Sequence, residues 1–165
     1  NKLDKLVDIV QKQVVFRTAT LSQTVDDNYS FVMMAMAVED DSFEDVYPTL
    51  KRTASNFNIR AERVDEIQFT GQITEKILSS IKVASFVIAD LSYQRPNVYY
   101  EIGYAHALGK PVILIAKKDT PLHFDLQGMN VHFYKNMSEL EDKLTKAILG
   151  IKNSVKYKMY NKSLE

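Results

Sequence analysis

Residues 84–115, ASFVIADLSYQRPNVYYEIGYAHALGKPVILI, constrain the fold more than any other stretch of the chain. Two short, continuous apolar runs, 85–89 and 112–115, have the pattern of strands covered on both faces of a sheet. Between them lie a polar turn, an amphipathic segment and the tight turn Gly109-Lys110-Pro111. The stretch therefore reads as strand, helix and parallel strand, a βαβ unit.

The helix of this unit has a carboxylate in its apolar stripe. At about 100° per residue, Val98, Ile102, Ala105 and Gly109 define one face, and Glu101 falls about 60° from its centre. Two readings are open: a carboxylate held in a site, or a side chain at the stripe's edge that snorkels to water and complements the positive helix N-terminus. Pro96 and Asn97 suit the first turn, and Arg95 before the proline is held extended. Glu101 lies one turn in, where the helix end favours its ionised form while its apolar flanks, Val98 and Ala105, push its pKa the other way. A carboxylate poised in this way suits the stabilisation of, or attack on, a developing sugar cation.

The rest of the chain extends the pattern. Residues 2–16 place Leu3, Val7, Val10 and Val14 on one helical stripe, and two heptads are too few for a coiled coil. This helix either packs on the domain's own surface or serves as a dimer contact or connector. The polar stretch 18–30 reads as a linker, so the organisation expected is an N-terminal helix and linker over 1–28, an α/β domain over 29–150 and a basic extension over 151–165. Within the domain, the run 31–37 (FVMMAMA) is the first strand, with its methionines read as adaptable packing. A helix follows over 43–56, for which Asp41 with Glu44 suggests a capping box. Residues 58–64 form a second strand, 65–71 its loop, and 72–83 a helix carrying Ile73, Ile77, Leu78 and Ile81. Beyond the βαβ unit come a loop over 116–129, a last strand over 131–134 and a closing helix over 137–149.

This order gives a three-layer α/β/α sandwich around a five-stranded parallel sheet of order 2-1-3-4-5, the flavodoxin-like arrangement. Ligands of such sheets bind beyond the carboxyl ends of the strands at the switch point, here between the first and third strands. That crevice would gather residues 37–41, 90–96 and the first turn of the Glu101 helix. Asp90, directly after the buried run of the third strand, is expected to face it.

Composition narrows the function classes. Among 165 residues, Lys plus Arg and Asp plus Glu number 21 each, so nothing global points to nucleic acid or an anionic membrane as partner. There is no cysteine, which removes thiol nucleophiles, disulfides and Cys-ligated zinc. His106, His123 and His132 have no metal-site spacing, so no metal is expected. With no run long enough to span a membrane and no visible signal peptide, a soluble cytoplasmic protein is expected. The first residue is Asn1 rather than Met, which suggests a piece of something longer. With five glycines, neither G-x-x-x-x-G-K-[ST] nor G-x-G-x-x-G occurs, nor does G-x-S-x-G.

The segment from Asn97 to Ala105 (NVYYEIGYA), followed by Ala107-Leu108-Gly109-Lys110-Pro111-Val112, resembles the nucleoside 2-deoxyribosyltransferases and the related nucleoside 5'-monophosphate N-glycosidases, which sit close to TIR-like nucleotide-processing domains. The likeness extends to the FVMMAM run, to Phe43-Glu44-Asp45-Val46-Tyr47, to Arg63 and Asp65 through Gly71, and to Ala89-Asp90-Leu91, spanning residues 31–134. The resemblance implies that Glu101 is the nucleophile at the anomeric carbon and that Asp90 positions the substrate. It further implies substrate contacts from Ala35, Met36, Arg63, Asp65, Ser92, Tyr93, Asn97 and Tyr100, no cofactor, and a homo-oligomer. The substrate implied is a nucleoside, a nucleotide or NAD. One feature departs from the family pattern. Residues 35–41 lack the usual glycine and instead carry Glu39, Asp40 and Asp41, whose charges are expected to disfavour phosphate unless Arg63 and Arg95 turn inward.

Three functions follow: an enzyme that cleaves or transfers at an N-glycosidic bond, a TIR-like NAD-cleaving domain, and a non-catalytic nucleotide-binding or interaction module. The second lacks the Trp-Cys element that often precedes the TIR glutamate.

Overall fold

A computed structural model describes residues 24–36, 39–67, 71–123, 126 and 128–162. The helix expected over 2–16 lies outside them. The strands are β1 (Asp26–Met33), β2 (Arg60–Glu62), β3 (Ala84–Asp90), β4 (Val112–Lys117) and β5 (Val131–Tyr134). The helices are α1 (Asp41–Glu44), α2 (Val46–Ser55), α3 (Ile73–Val83), α4 (Pro96–Ala107) and α5 (Met137–Lys162). The sheet has five strands in the order β2-β1-β3-β4-β5, all parallel. This is the flavodoxin-like sandwich that the hydrophobic runs predict.

Strand alternation divides the core in two. Phe86 and Ile88 of β3, with Val32, Ile113 and Ile115, meet Val46 and Leu50 of α2 and Leu140, Leu144 and Ile148 of α5 on one face. Val87 and Ala89, with Phe31, Met33 and Leu114, meet Ile81 of α3 and Val98, Ile102 and Ala105 of α4 on the other. Both faces are dry, which is why β3 and β4 read as unbroken apolar runs.

The boundaries differ from expectation where local polarity and ladder pairing disagree. β1 starts within the stretch read as linker, because Asp26 pairs with Ala84 and Tyr29 with Arg60 through backbone groups that need no apolar side chain. It also stops at Met33, so Met34, Ala35 and Met36 leave the ladder. The helix expected over 43–56 is broken at Asp45 into α1 and α2. Pro48 accounts for this, since it has no N–H to donate to the carbonyl of Glu44. Asp41 is itself the first residue of α1, and it is α5 whose first turn is capped by side chains. There the Glu139 N–H donates to Asn136 Oδ1 at 2.9 Å, and Glu139 Oε2 accepts from the Lys135 N–H at 2.9 Å. β2 keeps only three residues, because Arg63 turns out of the sheet into a 3-10 turn, Val64–Glu66. α5 is a single 26-residue helix that runs through the boundary placed at residue 150.

The turn from α4 into β4 depends on Gly109, whose φ of 67° lies in the left-handed region. Its N–H donates to the His106 carbonyl at 2.9 Å and that of Lys110 to the Ala105 carbonyl at 3.0 Å, which closes the helix end. Gly109→Ala is expected to cost about 1–2 kcal/mol through the left-handed backbone alone, read as a lower urea midpoint with an unchanged m-value.

Candidate active site

A cavity of about 550 Å³ opens at the carboxyl end of β1, between it and the first turns of α3 and α4, beside the switch point of the sheet. Met34, Ala35 and Met36 reach it because β1 ends early, and α3 and α4 bring their first turns to it. Arg63 reaches it from beyond β2. Met36, Ile73 and Tyr100 are exposed and form an apolar collar at the mouth.

Glu101 lines this cavity and is 9% exposed. It makes no hydrogen bond or ion pair with any described residue. Burial pushes its pKa up to about 7. The cause is removal from water by its surroundings. No other carboxylate among the described residues lines the cavity.

Ala35, Met36, Arg63, Asn97 and Tyr100 are brought together with Glu101 there. Asp65 is beside the cavity rather than in its wall, and it fixes Arg63 by a two-pronged pair at 2.6 and 2.7 Å. The Arg63 guanidinium also lies 4.5 Å from the centre of the Tyr47 ring. The Tyr47 hydroxyl accepts from the Arg63 N–H at 2.9 Å and donates to Glu66 at 2.7 Å. Tyr47 entered the sequence reading within the segment 43–47 that shares the resemblance, and not as a site residue. The first turn of α3, with Ile73 and Thr74, was not expected in the site either.

Asp90, Ser92 and Tyr93 do not line the Glu101 cavity. Asp90 has the parity of Phe86 and Ile88, so its side chain turns to the α2 and α5 face, whereas Glu101 descends from α4 on the opposite face. Asp90 is 3% exposed. It accepts from the Ser92 N–H at 2.8 Å and the Tyr134 hydroxyl at 3.1 Å, and burial raises its pKa. The Ser92 hydroxyl in turn accepts from the Lys117 N–H at 2.8 Å. Tyr93 donates to Asp40 and packs edge-on against Phe43, with ring centres 4.7 Å apart. Position after a buried run marks the end of a strand but not the face that the next side chain takes.

The acidic segment also departs from expectation. Asp40 pairs with Lys117 at 2.7 Å, and neither it nor Glu39 nor Asp41 lines the cavity. Arg63 and Arg95 both do. The repulsion expected against an anionic ligand is therefore absent from the cavity wall. No group of three or more His, Cys, Asp or Glu side chains among the described residues is arranged to hold a metal ion. No helix among them is long and apolar enough to cross a membrane.

Fold and cavity define a three-layer parallel α/β protein with a buried carboxylate at its switch point. No protein-family model matches the sequence, and no curated protein matches it. Solved structures share the fold. The TIR domain of the Toll-related receptor TRR-2 from Hydra magnipapillata superposes with a TM-score of 0.57 at 14% identity, over 74% of this chain and 97% of that one. A 2-deoxyribosyltransferase from Bacillus psychrosaccharolyticus gives 0.53 at 14% identity, over 68% and 90% of the two chains. The CMP N-glycosidase BcmB of Clostridium botulinum gives 0.50 at 23% identity, over 70% and 97%. These are the classes of protein to which the motif resemblance points, and at these identities the likeness is one of fold.

Proposed function

We propose that this chain is an enzyme that cleaves or transfers at the N-glycosidic bond of a nucleoside or nucleotide, with Glu101 facing the anomeric carbon. One observation carries the reading: a carboxylate that is 9% exposed and has no partner among the described residues lines an open cavity at the sheet's switch point. With no partner among the described residues, the carboxylate is left available to a ligand in the cavity, where it can stabilise positive charge developing on a bound sugar. Supporting it are the E-I-G-x-A motif around Glu101 and the shared fold of an N-glycosidase and a 2-deoxyribosyltransferase.

In the reaction proposed, a carboxylate oxygen of Glu101 bonds to C1' as the C1'–N bond breaks. The bonding pair leaves with the base, which takes up a proton from solvent water, and the water or second base that attacks next gives one back. Water, or a second base, then attacks C1' and releases Glu101, so configuration is retained. The collar of Met36, Ile73 and Tyr100 offers a flat apolar surface to the base, and it is also a surface that a second copy of the chain would cover in a homo-oligomer.

The attacking form is the carboxylate. With its pKa at about 7, kcat/KM is expected to rise about tenfold per pH unit below 7 and to level off above it. A profile that falls through this range would mean that Glu101 works as an acid. Incubation with nucleosides, nucleotides and NAD, followed by chromatography for free base, tests the function directly. Release of nicotinamide alone would move the assignment to the TIR-like reading, for which the Hydra TIR fold is the supporting observation.

A further inference from the structure

Arg63 reaches the Glu101 cavity from the β2 side of β1 with most of its freedom already removed. Its side chain is 22% exposed. Two of its five N–H donors close the two-pronged pair with Asp65. The guanidinium lies against the Tyr47 ring, and its own backbone N–H donates to the Tyr47 hydroxyl, which donates in turn to Glu66. Lys51 completes the group by pairing with Glu66 at 2.8 Å. The other three side-chain donors of Arg63 have no hydrogen-bond partner among the described residues. So much support for one side chain on a cavity wall fixes its donors before any ligand arrives.

The charge of the group narrows what it can meet. Arg63 and Lys51 are matched by Asp65 and Glu66, and the bond from Arg63 holds the Asp65 carboxyl below the usual carboxylate range. The cluster therefore offers oriented N–H groups with no surplus charge, which suits the carbonyl oxygen of a neutral ring better than a phosphate. The placement agrees with this. β1 lies between β2, which Arg63 follows, and β3, which leads into the helix of Glu101. β2 and β3 are two strand spacings, about 10 Å, apart. A base whose glycosidic carbon meets Glu101 extends its far edge toward Arg63, with apolar Met36 and Ile73 in the same wall.

We infer that Arg63 serves the leaving group, donating to a carbonyl oxygen of the departing base. The inference rests on the glycosidic reading of the same cavity. As the C1'–N bond breaks, its electron pair passes into the base ring and onto that oxygen, where the Arg63 donors meet it, and a ring nitrogen takes its proton from solvent water. Glu101 answers the charge that develops on the sugar. Arg63 answers the charge that develops on the base.

The test uses the whole chain with deoxyuridine, its 5-fluoro, 5-bromo and 5-methyl derivatives and deoxyadenosine, each as nucleoside and as 5'-monophosphate, read for free base. The four uracil-type bases share their carbonyl groups and differ in how readily they carry negative charge. In the wild type, kcat/KM is expected to vary less than about tenfold among them. In Arg63→Gln the spread is expected to widen about tenfold, the 5-methyl substrate losing about a hundredfold and the 5-fluoro about tenfold. Arg63→Lys, which keeps the charge but not the fork, is expected to fall between. Misfolded protein lowers every substrate equally and drops out of the comparison. An equal loss across the series overturns the inference, as does release of adenine, which has no carbonyl, without release of any uracil-type base. If no base is released from any substrate, saturation-transfer NMR with free uracil and free adenine separates the two ideas. Uracil binding that is lost in Arg63→Gln supports the carbonyl contact without the glycosidic reading; uracil bound no better than adenine overturns the inference as well.

Discussion

Glu101→Gln is expected to lower base release by about three orders of magnitude or more while making the protein more stable at pH 8. The two effects share one cause. Burial raises the Glu101 pKa from 4.5 to about 7, so the folded state holds this proton more tightly than the unfolded chain does. Stability therefore falls as pH rises from the unfolded value through the folded one and levels off above it. The gap between the two values corresponds to about 3 kcal/mol, an upper figure because the neutral amide is itself buried without a described partner. The variant should match the wild type near pH 4 and exceed it at pH 8, in thermal melts or urea titrations. Lower stability of Glu101→Gln at pH 8 would reveal a structural partner for the carboxylate and end the argument that it is held in readiness for a substrate.

Asp90→Ala is expected to act in the opposite sense, destabilising the protein by about 2–6 kcal/mol. It removes the acceptor of two buried donors, the Ser92 N–H and the Tyr134 hydroxyl. Each donor left unsatisfied costs about 1–3 kcal/mol. Asp90→Asn keeps one oxygen and should lose less. The urea midpoint measures both variants. Because Asp90 turns away from the Glu101 cavity, the Asn variant is expected to keep kcat within about tenfold of wild type. A loss comparable to that of Glu101→Gln, in a protein that melts normally, would return Asp90 to the chemistry.

The sheet order was legible because β3 and β4 are covered on both faces, which leaves an unmistakable apolar run in each. The ends of elements were not. β1 recruits the polar Asp26 through backbone pairing with β3, which no side-chain pattern records, and the break at Asp45 depends on a single missing N–H at Pro48. In the site, Glu101 was readable because helical periodicity fixes the face of a residue inside a helix. Asp90 was misplaced because one step of alternation decides between two faces, and the apolar run before it, dry on both, gives no phase. Arg63 was named, but its orientation depends on Tyr47 and Asp65, whose convergence is a matter of tertiary structure.

The opposite orientations of Asp90 and Glu101 separate two tasks on either side of the β3–α4 connection. The hydrogen bonds of Asp90 and Ser92 tie the β3–α4 connection to β4 and β5 from one side of the sheet, while the residues that line the Glu101 cavity stand on the other. Replacements at Met36, Arg95 or Tyr100 can thus alter what is bound without loosening what holds the loop. Residues around the cavity of a scaffold arranged in this way can change by small steps, each nearly free of a stability penalty.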